Sequence, residues 1–401
     1  MKRQFPRLVW WELRKNFRGP WVPLFLAILL FANAWKLQWE YRDAVGAFTE
    51  YEPVYQDFYS RWKGAITREK VGQLMRVYGP LEEKWQTMRL QFAQGTGQYT
   101  GSEHQDYRFF ASQFAEEMKY DYFYAGEASR IVSQARALAD FYTDWGNTYE
   151  AKKNNVISGL FSRRAIPDFA DTRYLEVWLN HDYSAMVVLL LCLFGLGTVF
   201  VTERETEMYM LLRTTRLGGS AAAAAKLTAS LLYVVTVCVL FFGEDFLVLQ
   251  LLSGNWDALH SPVYAIRPLE ATPLTVTVGR FILWSGAVKT LGVAVCGCGI
   301  LLFSCLSRQV FTAFVSGFGY LMAMVLLQEN ARSWAALKWM NPMELVMIRE
   351  LAGRTVFVNV LGLPVPLYRF VLFGVSVTGA ALLAGILLTS PGRMERGWRH
   401  A

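Results

Sequence analysis

Six apolar runs, each near the length that a membrane-crossing helix needs, restrict what this chain can fold into. They are Pro20 to Trp35, Ser184 to Val201, Ala222 to Phe242, Phe281 to Phe303, Val310 to Leu327 and Tyr368 to Thr389. A hydrocarbon core takes roughly 20 apolar residues in a helix, and every backbone amide inside it must be bonded within the segment. The runs therefore predict an all-α polytopic membrane protein with six transmembrane helices. The first run is the shortest. The third extends if the helix continues through Gly243-Glu244-Asp245, because Phe246 to Leu252 is apolar again. A chain of 401 residues that is 53% hydrophobic is also too apolar for an ordinary soluble protein of this size.

The formal charge of +7 does not indicate nucleic acid, since the bases are not gathered on one soluble face with interleaved stacking aromatics. They flank the apolar runs. With the N-terminus inside, residues 1–19, 202–226, 304–309 and 390–401 carry 14 Lys and Arg, from Lys2 to Arg399, against five in the two short outside loops 253–279 and 328–367. That bias predicts both termini in the cytoplasm. Phe5 to Gly19 reads as a helix in the membrane interface, with Phe5, Leu8, Val9, Leu13 and Phe17 toward lipid and Arg7, Arg14, Lys15 and Arg18 toward water and headgroups. The same start resembles a secretory signal with Ala32-Asn33-Ala34 at a cleavage position, but the long amphipathic stretch before the apolar run favours an uncleaved anchor.

Three segments follow: 1–35 with the interfacial helix and first span, 36–183 as a polar insertion, and 184–401 with spans two to six. An insertion of this length is too long for a loop, and Val71, Leu74, Met75, Tyr78, Leu81, Trp85, Met88 and Leu90 recur at helical spacing. A second helical pattern runs from about Asp106 to Trp145, with Gly95 to Gly101 as the turn between them. The expectation is a helical extracytoplasmic domain whose many aromatics form its core, or else offer contact area to an amphipathic ligand. His104 and His181 stand alone in sequence, far from any Cys or second His, so no metal site is expected. The five cysteines all fall in or at the ends of apolar runs, and Cys296-Gly297-Cys298 reads as small residues for helix packing.

The stretch Thr202 to Leu227, TERETEMYMLLRTTRLGGSAAAAAKL, has a different character from the runs beside it. Acids come first (Glu203, Glu205, Glu207), then Met208 to Leu212, then Arg213 and Arg216. That order suits a short amphipathic helix near 203–217 on the inner face, ended by Gly218-Gly219, with Ala221 to Ala225 starting the next span. The segment resembles the end of the second span in permeases of exporter-type ABC transporters (the ABC-2 type). Their pattern is similar to E-R-E-x-G-T, a leucine pair, a threonine, a proline or glycine, a basic residue, small residues and K-L. Here Glu203-Arg204-Glu205, Leu211-Leu212, Thr214, Arg216, Gly218 and Lys226-Leu227 follow in that order, with Thr206 in place of the glycine and Gly219 in place of a base. The layout is similar too, down to Asn341-Pro342 in the last outside loop.

The resemblance implies a multi-pass permease of the bacterial cytoplasmic membrane, whose coupling helix docks on a separate ABC ATPase subunit. Glu203, Arg204, Glu205, Met208, Leu211, Leu212 and Arg216 would carry that coupling, with charges setting orientation and the apolar residues supplying contact. A second copy or a paralogue of the permease, and membrane lipid, would be the other partners. No cofactor is expected on this chain, and ATP would be used by the partner. No G-x-x-x-x-G-K-[ST] loop is present, since Lys289-Thr290 lacks its glycines. The cargo class is an amphipathic or lipophilic compound such as an antimicrobial peptide or drug. The competing reading is a non-transporting sensor or scaffold whose outside domain binds a ligand. An enzyme is not expected, because no nucleophile, base and metal set converges. Lys289, Glu244 and Asp245 lie within apolar runs, either snorkelling to the outer surface or lining an ion pathway.

Overall fold

The computed structural model describes residues 5–16, 21–46, 59–95, 115–214, 220–330 and 335–389. About 81% of it is helical, and five helical stretches are long and apolar enough to cross a membrane: Arg173–Glu205, Ala221–Ser253, Val278–Leu306, Val310–Glu329 and Leu367–Thr389. All five fall on expected runs. The first expected run lies in helix α2 (Trp21–Gly46), which follows α1 (Phe5–Asn16) and continues 11 residues past Trp35. Polar residues such as Lys36, Glu40 and Arg42 share that extension with Leu37, which is fully buried.

The insertion folds as helices α3 (Arg68–Ala93), α4 (Glu116–Asp144) and α5 (Thr148–Phe161), with a two-residue antiparallel pairing of Gly64-Ala65 and Asp168-Phe169. The expected pattern from Asp106 to Phe114 and most of the Gly95–Gly101 turn lie outside the described residues. Between α4 and α5 the chain reverses at Gly146, whose φ of +72° suits only a residue without Cβ, and Asn147 caps α5 by accepting from Glu150 N at 3.2 Å. Tyr59, Val71, Leu74, Met118 and Phe169 form one small core here.

Other aromatics of the insertion pack against the apolar helices instead. Tyr124, Phe161, Tyr174 and Trp178 belong to one buried cluster with Tyr264, Phe281, Leu345 and Val371. Arg164 fastens the two parts: Nη2 donates to Thr272 O at 2.6 Å, Nη1 donates to Tyr124 Oη at 3.3 Å, and the guanidinium lies 4.0 Å from the Phe161 ring centre. Tyr124 stacks on Tyr264, with centroids 4.9 Å apart. The expectation that the insertion's aromatics form a core holds for these residues, but the core that Tyr124 and Phe161 join extends into the apolar helices.

The chain then passes through α6 (Arg173–Asn180), α7 (Tyr183–Leu196), the short α8 (Val201–Glu205) and α9 (Met208–Thr214), and α10 (Ser220–Ser253). Helix α10 runs unbroken through Gly243-Glu244-Asp245, as the second apolar patch predicts. Next come α11 (Val278–Leu306) and α12 (Val310–Asn330). Helix α11 is the centre of the bundle and touches α7, α10, α12 and the last helix, α16 (Leu367–Thr389). Between α12 and α16 lie α13 (Ala335–Trp339), α14 (Met343–Val346), α15 (Ile348–Gly353) and a hairpin pairing Phe357–Val360 with Leu363–Pro366.

The stretch read as a plain outside loop, 328–367, departs from that expectation. Met343, Leu345, Val346, Leu351 and Ala352 are buried against α11 and its neighbours. Gly292, more than three turns into α11, makes room for this, because a Cβ there would meet Pro342 O at 2.9 Å and Leu345 Cβ at 3.0 Å. Asn341 secures the entrance, donating to Met324 O at 2.7 Å and accepting from Met343 N at 3.0 Å. The four-residue helix α14 is far too short to cross a bilayer, so the segment packs on the bundle instead.

Candidate functional site

The acidic start of the quoted stretch meets the start of α10 and helix α1. Lys226, 5% exposed, donates through Nζ to Glu203 Oε1 at 2.7 Å, to Glu12 Oε2 at 3.2 Å and to Val199 O at 3.2 Å. Lys15 adds a contact of 3.6 Å to Glu203 and 3.0 Å to Glu12. Two acids and two bases thus knot α1, α8 and α10 together beside a cavity of about 390 Å³. Glu12 was not among the expected site residues. Its signal in the sequence, a lone acid in a basic helix, has no meaning until Lys226 is placed opposite it.

Helix α1 also differs from the expected lipid-facing helix. Val9 packs on Ala225 and Ala229, with Leu8 and Leu13 partly buried beside them, while Trp10 and Trp11 are exposed. Phe17 and Arg18 lie outside the described residues. The expected single helix over 203–217 is two short helices, α8 and α9, broken at Thr206-Glu207, where Glu207 takes a φ of +55°. Arg204 turns back and donates to Ser307 O at 3.3 Å. Glu205 is exposed, and so are Met208 and Leu211, at 49% and 65%. Leu212 lies in α9, whereas Arg216, Leu217, Gly218 and Gly219 lie outside the described residues. Glu203 is therefore committed to Lys226 within the chain, and among the described side chains of the set Glu205, Met208 and Leu211 face outward.

At the other end of the bundle, Asn33, His181, Asp245 and Lys289 are buried, at 0, 1, 3 and 6%. Neither Lys289 nor Asp245 snorkels to the surface. Lys289 Nζ rests over Trp178 and Phe242, 5.4 and 5.6 Å from the ring centres. Asn33 Nδ2 donates to Asp245 Oδ1 at 2.7 Å and to Glu244 Oε2 at 2.9 Å. His181, isolated in sequence, contacts Glu40 and Asn33, which lie 141 and 148 residues away. No group of His, Cys, Asp and Glu with metal-holding geometry occurs among the described residues.

Two cavities open beside this end. One of about 420 Å³ is lined by Glu40, Glu117, Arg173, Glu176 and Asn180. Burial pushes the Glu117 carboxyl up to about 7, outweighing Arg267, whose Nε is 3.1 Å away. The other, about 640 Å³, is an aromatic groove between α4 and the 267–271 loop, lined by Tyr120, Phe123, Tyr124, Ile131 and Phe161, with Glu116, Glu127, Glu270, Lys119 and Arg267 at its edge.

Comparison of the chain with protein-family models, with curated proteins and with solved structures gives no match.

Proposed function

We propose that this chain is the membrane subunit of an ATP-driven exporter, moved by a separate ATPase subunit that docks on α8 and α9. The observation that carries the reading is the Lys226 knot with its apolar overhang. Three bonds from one buried ammonium join α8 to α1 and α10, while Met208 and Leu211 stay uncovered one turn away. A push on the overhang crosses the single turn at Thr206-Glu207 to α8, and the knot hands it on to α1 and the 34-residue α10, the contiguous contact that mechanical coupling needs. The bundle face carrying α1 and α8 is cytoplasmic in this reading, α2 is a sixth span, and the 59–180 region lies outside. Two copies of the chain, or one with a paralogue, make the conduit.

The aromatic groove fits an amphipathic or lipophilic cargo, since its rings supply contact area and its edge carries charges of both signs. The same groove also favours the alternative of a membrane sensor that binds such a ligand and moves nothing. Single cysteines at Met208 or Leu211 decide the orientation: an impermeant thiol reagent labels them in inverted vesicles and not in intact cells. An ATP-hydrolysing subunit should co-purify stoichiometrically with the chain and be lost with Leu211→Glu. Labelling from outside intact cells overturns the coupling assignment, and ligand binding with no such subunit favours the sensor.

A further inference from the structure

Both ring nitrogens of His181 face hydrogen-bond acceptors. The residue fills the two-residue break between α6 and α7. Its Nδ1 is 2.5 Å from Glu40 Oε2, and its Nε2 is 3.2 Å from Asn33 Oδ1 and 3.8 Å from Asp245 Oδ1. Turning the Asn33 amide round gives no relief. Its Nδ2 donates to Glu244 and Asp245, so a flip would set the amide oxygen against two carboxylates. A neutral imidazole has one N–H and one bare nitrogen and satisfies only one of its two neighbours.

The arrangement closes with one additional proton. Either the ring carries it, and the imidazolium donates to Glu40 and Asn33, or Glu40 carries it and its O–H donates to Nδ1 while Nε2–H donates to Asn33. In both cases the proton lies between Glu40 Oε2 and His181 Nδ1. Glu40 is also the wet end of the pair: its side chain is 30% exposed and lines the 420 Å³ vestibule, whereas the His181 side chain is wholly buried. A hydronium in the vestibule gives its proton to the Glu40–His181 pair and leaves water behind, and no other bond changes.

We propose that Glu40 and His181, held in place by Asn33 and Asp245, form a proton-binding site loaded from the vestibule. The surrounding charges are Lys36 on α2, 3.1 Å from Glu40 Oε1; Asp182 next to His181; Glu244 and Asp245 on α10; Lys289 on α11; and Arg349, bonded to Asn180. With the proton bound, α2, the α6–α7 break and α10 are tied by consecutive hydrogen bonds. Without it, one nitrogen lone pair opposes an acceptor, so one of the two bonds from His181 to α2 is lost. The site owes nothing to the export reading and stands or falls separately from it.

The test is nitrogen NMR of the full chain in lipid nanodiscs, with ring-labelled histidine. His181 is assigned by its loss in His181→Gln, or, where that variant does not fold, by removing His104, His260 and His400 instead. The expected result at neutral pH is a His181 ring with both nitrogens in proton-bearing or proton-accepting bonds, losing one proton in a single step as the pH rises. Glu40→Gln offers an N–H to Nδ1, so it should yield a neutral Nε2–H ring at the same pH and lose that step. Glu117→Gln, which removes the neighbouring vestibule carboxyl, should leave the step in place. A wild-type Nδ1 that is bare and unbonded, or a Glu40→Gln spectrum identical to wild type, overturns the proposal.

Discussion

Replacing Lys226 with methionine keeps the volume of the buried stem and removes only the charge and its three donors. Glu203 and Glu12, now bonded at 2.7 and 3.2 Å, are left facing one another without that ammonium. Removing one partner of a buried ion pair costs about 3–5 kcal/mol when both groups are dry. Here the acids keep 20% and 12% of their side-chain surface, they border a water-accessible cavity, and Lys15 can swing closer, so about 2–3 kcal/mol is expected. The triple variant Glu12→Gln, Lys226→Met, Glu203→Gln removes every stranded charge and should recover most of that loss, because a neutral replacement of a whole buried cluster is often nearly isoenergetic. The assay is unfolding of the detergent-solubilised chain, followed by reaction of its buried thiols. Cys192, Cys238, Cys296 and Cys305 are all buried, so their modification reports opening of the bundle. A single variant as stable as wild type, or a triple variant no better than the single, refutes the claim that this ammonium joins the three helices.

Met208→Glu and Leu211→Glu should change unfolding by no more than about 0.5 kcal/mol, since both side chains are exposed, while abolishing ATPase recruitment in a pull-down. Gly292→Val should destabilise by about 1–3 kcal/mol, by pushing Pro342 and Leu345 off α11, whereas Gly319→Ala, which meets no atom within 4 Å, should be close to neutral in the same assay. Glu117 has an ordinary value of 4.5, raised in the fold to about 7, so between those values the native state holds a proton that the unfolded chain has lost. Stability should therefore decline as pH rises through that window, and Glu117→Gln should flatten that part of a stability-against-pH curve. Arg164→Met should loosen the 262–272 loop from α4, read as faster amide exchange there, because Thr272 O loses a 2.6 Å donor.

Five of the six expected runs lie on helical stretches whose ends fall within a few residues of the hydropathy boundaries, apart from Arg173–Glu205, which starts 11 residues before Ser184, and α10, which continues to Ser253. Hydropathy is legible in a single sequence because lipid exposure imposes it on every position of a span. What it cannot convey is which helix a polar residue will face. His181 looked solitary because its partners are more than a hundred residues away in the chain. Glu12 looked like part of an interfacial helix until α10 supplied Lys226. The seating of α14 was illegible for another reason: its apolar stretch is too short to register as a span, and only the gap at Gly292 explains where it goes. The continuation of α2 past Trp35 was hidden by Lys36 and Glu40, charged residues that the bundle pairs with each other at 3.1 Å.

Helix α11 borders α7, α10, α12, α14 and α16 at once, so it acts as the axle of the bundle. Any opening between two of its neighbours must either peel one of them away from it or swing it along as cargo. Gly292, Gly297 and Gly299 notch it where Pro342, Leu196 of α7 and Tyr320 of α12 come in close. A group seated in such a notch blocks gliding along the rod, so a neighbour of α11 travels with it or comes off it sideways.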